Sequence, residues 1–227
     1  MQRDPDSREE QIIAEVLGPS VGDLLEIGCG DGRLTGKLAE VCQTLTALDT
    51  ELLWVMEAGD SFVRGARFLS ASGEDLPLTD NCVDAVVFSL SLHHQNPFKA
   101  LKEARRVLRE NGRILVLEPV QHSLMTMLFA FLHDESYEYE QAEAAIDSSG
   151  LRIMLSGSVR TRWIFEDFAE MNDYLFNYFN LAPDAEKGNL MARLLGARRT
   201  LKPLCIEDIT RFWLLREEPD PSQAGVQ

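Results

Sequence analysis

The chain has 227 residues, is 45% hydrophobic and carries a formal net charge of −15 from 37 acidic and 22 basic side chains. That is enough chain for one well-buried α/β domain with an elaboration. A polyanion is held by clustered Lys and Arg, so the balance argues against DNA or large RNA as a partner, and the lack of an apolar run of 18 residues argues against a transmembrane helix.

Read in chain order, Met1 to Asp6 is too polar and acidic for a signal peptide. Ser7-Arg-Glu-Glu10 has the capping-box pattern, and the helix it starts runs to about Leu17, where Gly18-Pro19 stops it. That helix either packs on the sheet edge or forms part of a lid. Val21 to Ile27 is an apolar strand that ends in Gly28, Gly30 and Gly32, and a helical segment follows from Arg33 to Val41. Strand, glycine turn and helix open a nucleotide-type site in a doubly wound α/β sheet. A dinucleotide fingerprint would put its third glycine at position 33, where Arg33 stands, and the chain has no G-x-x-x-x-G-K-S/T phosphate loop. Gln43 to Asp49 is a second strand ending in an acid. Asp49 stands 21 positions after Gly28, near the separation of a carboxylate that accepts both hydroxyl protons of a ribose diol.

Ala66 to Ala71 is a third strand, followed by Ser72-Gly-Glu-Asp-Leu-Pro-Leu78. Val83 to Phe88 is a fourth, followed by Ser89-Leu-Ser-Leu-His-His94. Residues 97–109 form an amphipathic helix with Phe98, Leu101, Ala104, Val107 and Leu108 on one face and Lys99, Lys102, Arg105, Arg106 and Arg109 on a solvated one. A fifth strand closes the segment that ends at Pro119.

Taken together, Glu26-x-Gly28-x-Gly30-x-Gly32, Asp49, the Ser72–Leu78 turn and the Ser89–His94 segment resemble the class I, Rossmann-like S-adenosylmethionine (SAM)-dependent methyltransferase family that acts on small molecules. The resemblance covers about residues 22–119. It implies a doubly wound, seven-stranded, mostly parallel α/β sheet with an antiparallel last strand and helical insertions, in one domain over residues 1–218. It also implies SAM as cofactor. Glu26 belongs to the motif, Gly28 and Gly30 would pass under the methionine part, and Asp49 would hold the ribose. Thr50 would lie beside the adenine, Gly73 and Glu74 would edge it, and Ser89 would offer its backbone to the methionine end. Where family members often carry Asp, this chain has Ser72, so Ser72, Glu74 or Asp75 is left to meet the adenine amino group.

Past Pro119 the resemblance thins. Insertions are expected at about 120–136 and 166–202. Ser123 to Leu132 is very apolar and reads either as a cap over the substrate or as a core helix. Glu138 to Ser148 is a helix ended by Gly150. Leu151 to Phe165 and Ile209 to Arg216 are the sixth and seventh strands. Between them lie helical patterns at 166–181 and 184–199, the first rich in aromatics (Phe168, Tyr174, Phe176, Tyr178, Phe179) that serve packing, a substrate pocket or a homodimer contact. Arg193, Arg198, Arg199 and Lys202 form a basic cluster that reads as a surface patch. The tail after Glu217 is expected to be flexible.

Methyl transfer is a displacement at carbon in which the protein aligns the reactants and excludes water. A general base is needed only when the acceptor must lose a proton. His94 is the candidate base and His93 the next, with His122, His133, Tyr137 and Tyr139 behind them. No His, Cys or Asp cluster has metal-ligand spacing. Cys29, Cys42, Cys82 and Cys205 are scattered without a C-x-x-C pair, which fits reduced thiols in a cytoplasmic protein, and Cys29 reads as a small filler of the glycine turn. The sequence thus predicts a SAM-dependent methyltransferase for an unidentified small-molecule acceptor. The alternatives are a SAM-binding partner or regulatory protein without activity and, less favoured by the glycine spacing, an NAD-dependent oxidoreductase.

Overall fold

A computed structural model describes residues 1–51 and 66–218; the end of the expected flexible tail, 219–227, lies outside them. In chain order the described elements are β1 (Gln2–Arg3), α1 (Arg8–Leu17), β2 (Val21–Ile27), α2 (Thr35–Val41), β3 (Cys42–Asp49), β4 (Ala66–Ser70), β5 (Val83–Ser89), α3 (Pro97–Val107), β6 (Leu108–Pro119), α4 (Leu124–Ala130), α5 (Ser136–Ser148), β7 (Arg152–Phe165), α6 (Phe168–Tyr178), α7 (Ala185–Leu195) and β8 (Leu204–Arg216). The chain divides into two compact units. One, the sheet unit, holds Glu10–Glu118, Glu140–Gly157 and the chain from Arg211 onward. The other, the insertion unit, holds Met1–Glu9, Pro119–Tyr139 and Ser158–Thr210.

In the sheet unit the strand order is β7-β8-β6-β5-β2-β3-β4, mostly parallel with antiparallel strands at one edge. Leu24–Ile27 lie in register with Ala85–Phe88 on one side and Leu45–Leu48 on the other. Successive residues of these strands face opposite sides, and both sides are buried. Leu25, Ile27, Val86 and Phe88 pack with Ala100, Leu101 and Ala104 of α3 and Ala142 and Ile146 of α5. Leu24, Ala85 and Val87 pack with Ile13 and Leu17 of α1 and Leu38 of α2. Burial on both faces is why these strands read as mostly apolar runs. Phe88 is fully buried, and Phe88→Ala is expected to cost about 3–5 kcal/mol, read as a fall in the midpoint of urea unfolding. A loss below about 1 kcal/mol would place Phe88 outside a close-packed core.

Several local expectations change. Helix α3 starts on Asn96, whose side chain accepts the Lys99 amide, with Pro97 in the first turn, and it ends at Val107. Phe98, expected on its apolar face, is 48% exposed; that face is Ala100, Leu101, Ala104 and Val107. The expected solvated arginines are staples instead. Arg106 donates to the Leu76 and Leu78 carbonyls and pairs with Glu103 and Asp80. Arg109 pairs with Asp23 and Asp84, and Arg105 donates to the Ser149 carbonyl. In α1, Ile13 and Leu17 are buried in the sheet unit's core, as expected of a packing helix.

The insertion unit has its own core. Met125 and Leu128 of α4 pack with Trp163 and Phe165 of β7, Leu175 and Phe176 of α6, Met191 of α7, and Leu204 and Ile206 of β8. The apolar 123–132 segment is therefore a core helix here. Asp208, buried, accepts hydrogen bonds from Trp163 Nε1 at 3.0 Å and Ser123 Oγ at 2.6 Å. Strand β8 begins at Leu204, five residues before the expected start: Leu204 and Ile206 point inward while Cys205 and Glu207 are exposed, an alternation masked by its polar half. The two-residue β1, which no periodicity announces, pairs antiparallel with Trp163 and Ile164.

Candidate functional site

Parallel strands β2, β3, β4 and β5 end on one edge of the sheet, so the segments after Ile27, Asp49, Ser70 and Ser89 share it. In an open α/β sheet this is the edge that binds ligands. The amides of Gly28 and Cys29 both donate to the Leu48 carbonyl, at 2.8 and 3.0 Å, which fastens the glycine turn to the end of β3. The Gly30 amide then donates to Asp49 Oδ2 at 2.9 Å, and the Glu51 amide to Asp49 Oδ1 at 3.1 Å. A carboxylate has about four lone-pair sites, so two amides orient Asp49 and leave acceptor capacity for a diol.

Two glycines are required for different reasons. Gly28 has φ +79°, and a Cβ there would lie 2.1 Å from Ser91 Cβ. Ser91 cannot give way easily, because its hydroxyl donates to the Ile27 carbonyl. Gly30 has φ +52° and faces open space: a Cβ there would meet nothing within 4 Å.

Glu26 is buried at the end of β2 and accepts hydroxyl hydrogen bonds from Thr35 at 2.6 Å and Ser89 at 2.8 Å. It clamps β2 to α2 and to β5. Desolvation pushes its carboxyl up to about 6 from 4.5, outweighing those two hydrogen bonds. The folded chain therefore binds this proton before the unfolded chain does. The contribution of Glu26 to stability rises as pH falls from 6 to 4.5, by on the order of 2 kcal/mol. Glu26→Gln, which cannot ionise and still accepts a hydroxyl, is expected to remove that rise. Urea unfolding of both proteins at pH 4.5 and 7 checks it, and equal pH dependence in the two would contradict the burial argument.

Burial, with the nearby Glu26 and Asp49 charges, also pushes the Cys29 thiol up to about 12. A thiol so far from ionisation is an inert filler of the turn. Thr50 is exposed beside Asp49. At Gly73, a Cβ would meet Gln95 Oε1 at 2.3 Å and Ile27 Cγ2 at 2.7 Å. The Ser72 hydroxyl accepts the Glu74 amide at 3.1 Å, while the Glu74 carboxylate accepts the Asn96 amide at 2.8 Å. This turn is tied to α3 and the segment before it through Asn96, Glu103 and Arg106 as well as to itself.

Beyond Ser89 the backbone enters the left-handed region at Leu90, φ +58°, where a branched residue is unusual and strain marks functional loops. His93 is buried and His94 exposed, with ring centroids 3.8 Å apart. His93 Nδ1 is hydrogen-bonded to Glu118 Oε2, and Glu118 Oε1 accepts the Leu92 amide at 2.9 Å. Ser91, Gln95 and Glu118 escaped the sequence reading. Glu118 alone carried a signal, since it ends an apolar strand as Asp49 does.

Within the insertion unit a cavity of about 240 Å³ is lined by His122, His133 and Tyr139 together with Glu135 and Phe129. Tyr137 is not among its walls and is 67% exposed. Arg193, Arg198 and Arg199 are exposed, and Lys202 pairs with Asp167 at 2.7 Å, as a surface patch would be. Among the described residues no helix is long and apolar enough to cross a membrane.

The methyltransferase-domain family profile matches residues 25–116. An uncharacterized methyltransferase of Mycobacterium bovis is 33% identical over 115 residues, which is 50% of this chain and 46% of that protein. A human thiol S-methyltransferase is 31% identical over 147 residues, 60% of this chain and 59% of that protein. The chain thus spans about half the length of the curated relatives it matches. Among solved structures, the YcgJ protein of Bacillus subtilis shares the fold, with a TM-score of 0.65 at 17% identity, covering 92% of this chain and 98% of that one. Residues 25–116 match the methyltransferase-domain profile, and the fold and glycine turn agree with a class I SAM-dependent methyltransferase.

Proposed function

We propose that this chain binds SAM along the β2–β5 edge and transfers its methyl group to a small-molecule acceptor. The observation that carries the proposal is the Gly30 amide hydrogen-bonded to Asp49 beside open space, inside the segment matched by the family profile. When bound, SAM supplies a methyl on a sulfonium, so the carbon is already activated and the electron pair of the breaking C–S bond leaves with sulfur. The chain's own residues do the remaining work. Asp49 holds the ribose diol, Gly28 and Gly30 give the backbone room, and Thr50, Gly73 and Glu74 border the adenine. Glu26 and Ser89 support the methionine end, with Glu26 acting through its clamp on Ser89. His94, exposed after β5, contacts the acceptor. The acidic surface mildly favours a cationic cofactor over its neutral product, an effect that salt screens.

The test is incubation of the protein with methyl-labelled SAM and a metabolite extract. Label is expected in a small molecule. A protein that binds SAM yet labels no metabolite would be a binding partner and not an enzyme, against the proposal. In the same assay His94→Ala is expected to lower the rate about tenfold, the worth of one hydrogen bond of about 1.4 kcal/mol. An unchanged rate would remove His94 from the acceptor site.

A further inference from the structure

We propose that the segment from Lys187 to Pro203 is a docking face by which the insertion unit lies against a bilayer that carries anionic lipid. Five of the chain's 22 basic residues fall in this stretch and none of its 37 acidic ones, in a protein of net charge −15. Helix α7 buries Met191 and Leu195 in the core of the insertion unit. The rest of its surface should be polar if water is all it meets. Instead Leu190 and Leu194 are each 37% exposed, and Leu201, just past the 3₁₀ turn Gly196–Thr200, is 50% exposed. Arg193, Arg198 and Arg199 are exposed too, and among the described residues no ion pair holds them. Lys202 is paired with Asp167.

Residues three and four apart share a helix surface, so Leu190, Arg193 and Leu194 are neighbours. The Gly196 amide closes the helix onto the Ala192 and Arg193 carbonyls, and the Leu201 amide donates to the Arg198 carbonyl at 3.0 Å. The two further arginines and the third leucine therefore follow within the next turns. A cation in the last turn of a helix is favoured by the helix dipole. That accounts for Arg193 and leaves Arg198, Arg199 and the leucines unexplained. Solitary exposed leucines are ordinary. Interleaved with unpaired arginines, they have the composition of a helix lying in a lipid interface, where guanidinium meets phosphate headgroup and leucine enters the acyl boundary. A nucleic acid would satisfy the arginines and leave the leucines in water. Acid elsewhere on the chain is repelled by an anionic bilayer, which makes this basic face the one that approaches. The contact is peripheral, since α7 has 11 residues and a span needs about 20.

Sedimentation of the full chain with lipid vesicles tests this. Phosphatidylcholine vesicles with about one-third phosphatidylglycerol are expected to take up the protein roughly 100-fold more strongly than phosphatidylcholine alone, at about fivefold for each free arginine. Uptake is expected to fall steeply as salt rises from ~0.1 to ~0.5 M. Arg193→Gln, Arg198→Gln and Arg199→Gln together are expected to remove the preference for anionic vesicles. Leu190→Gln, Leu194→Gln and Leu201→Gln together are expected to weaken uptake about tenfold and keep the preference. Should the leucine triple variant not fold, Leu201→Gln alone stands in, with a loss of about twofold. SAM binding by calorimetry is expected to match wild type in each variant, so the membrane result is read separately from the methyltransferase reading. No uptake by the anionic vesicles, equal uptake by both kinds, or an arginine variant that still prefers the anionic ones would overturn the docking face. So would binding of a single-stranded oligonucleotide, undiminished in the leucine variant and without vesicle uptake, which would make the face a nucleic-acid surface.

Discussion

Gly28→Ala is expected to destabilise the sheet unit by about 2–5 kcal/mol and to abolish SAM uptake. The left-handed backbone at φ +79° costs a residue with a Cβ roughly 1–2 kcal/mol. The new methyl would lie 2.1 Å from Ser91 Cβ, far inside contact distance. Relief requires Ser91 to withdraw, which breaks the buried hydrogen bond from its hydroxyl to the Ile27 carbonyl, at roughly 1–3 kcal/mol. Ser91 also begins the segment that carries His93, so the displacement runs into the site itself. Gly30→Ala is the informative contrast. Its φ of +52° imposes similar backbone strain, but its Cβ would enter open space. That variant is expected to lose about 1–2 kcal/mol and still fail to bind, because the methyl fills room the ligand needs. Urea unfolding separates the two. Equal stability losses would contradict the assigned packing around Gly28.

Asp49→Ala is expected to weaken SAM binding by roughly 10²–10⁴-fold with the fold intact. A hydrogen bond to a charged group is worth about 1.5–3 kcal/mol, and a diol makes two. The carboxylate also accepts the Gly30 and Glu51 amides, so its loss frees the turn as well as the ribose contact. Because Asp49 is only half-buried at a strand end, removing it leaves no large cavity. The measurement is calorimetric, with circular dichroism as the check on folding. Unchanged affinity would move the ribose elsewhere.

The sheet was legible because its physics is local and repetitive. Val21–Ile27 and Val83–Ser89 are buried on both faces, so their apolar runs announce central parallel strands without any knowledge of the tertiary fold. The glycine turn was legible because only glycine tolerates the backbone there. Asp49 stood out as an acid closing an apolar strand 21 positions after Gly28; Glu118 also closes one, but no spacing to the glycine turn marks it. The roles of Arg105, Arg106 and Arg109 were not legible. Helical spacing places them on the polar side of an amphipathic pattern, and only tertiary contact shows that they bind carbonyls and acids of neighbouring segments. Phe98 failed for the converse reason, since a large apolar residue in the first turn of a helix need not be covered. The apolar stretch 123–132 and the aromatic helix 166–181 were ambiguous between a ligand pocket and a core, because both uses demand the same side chains. In the structure they supply the interior of the insertion unit, with Tyr178 and Leu181 exposed.

One titration tests SAM binding most directly. Calorimetry of the wild-type chain with SAM is expected to give saturable binding of one molecule per chain, with NAD giving none. No heat of binding at millimolar SAM, or binding of NAD in its place, would contradict it.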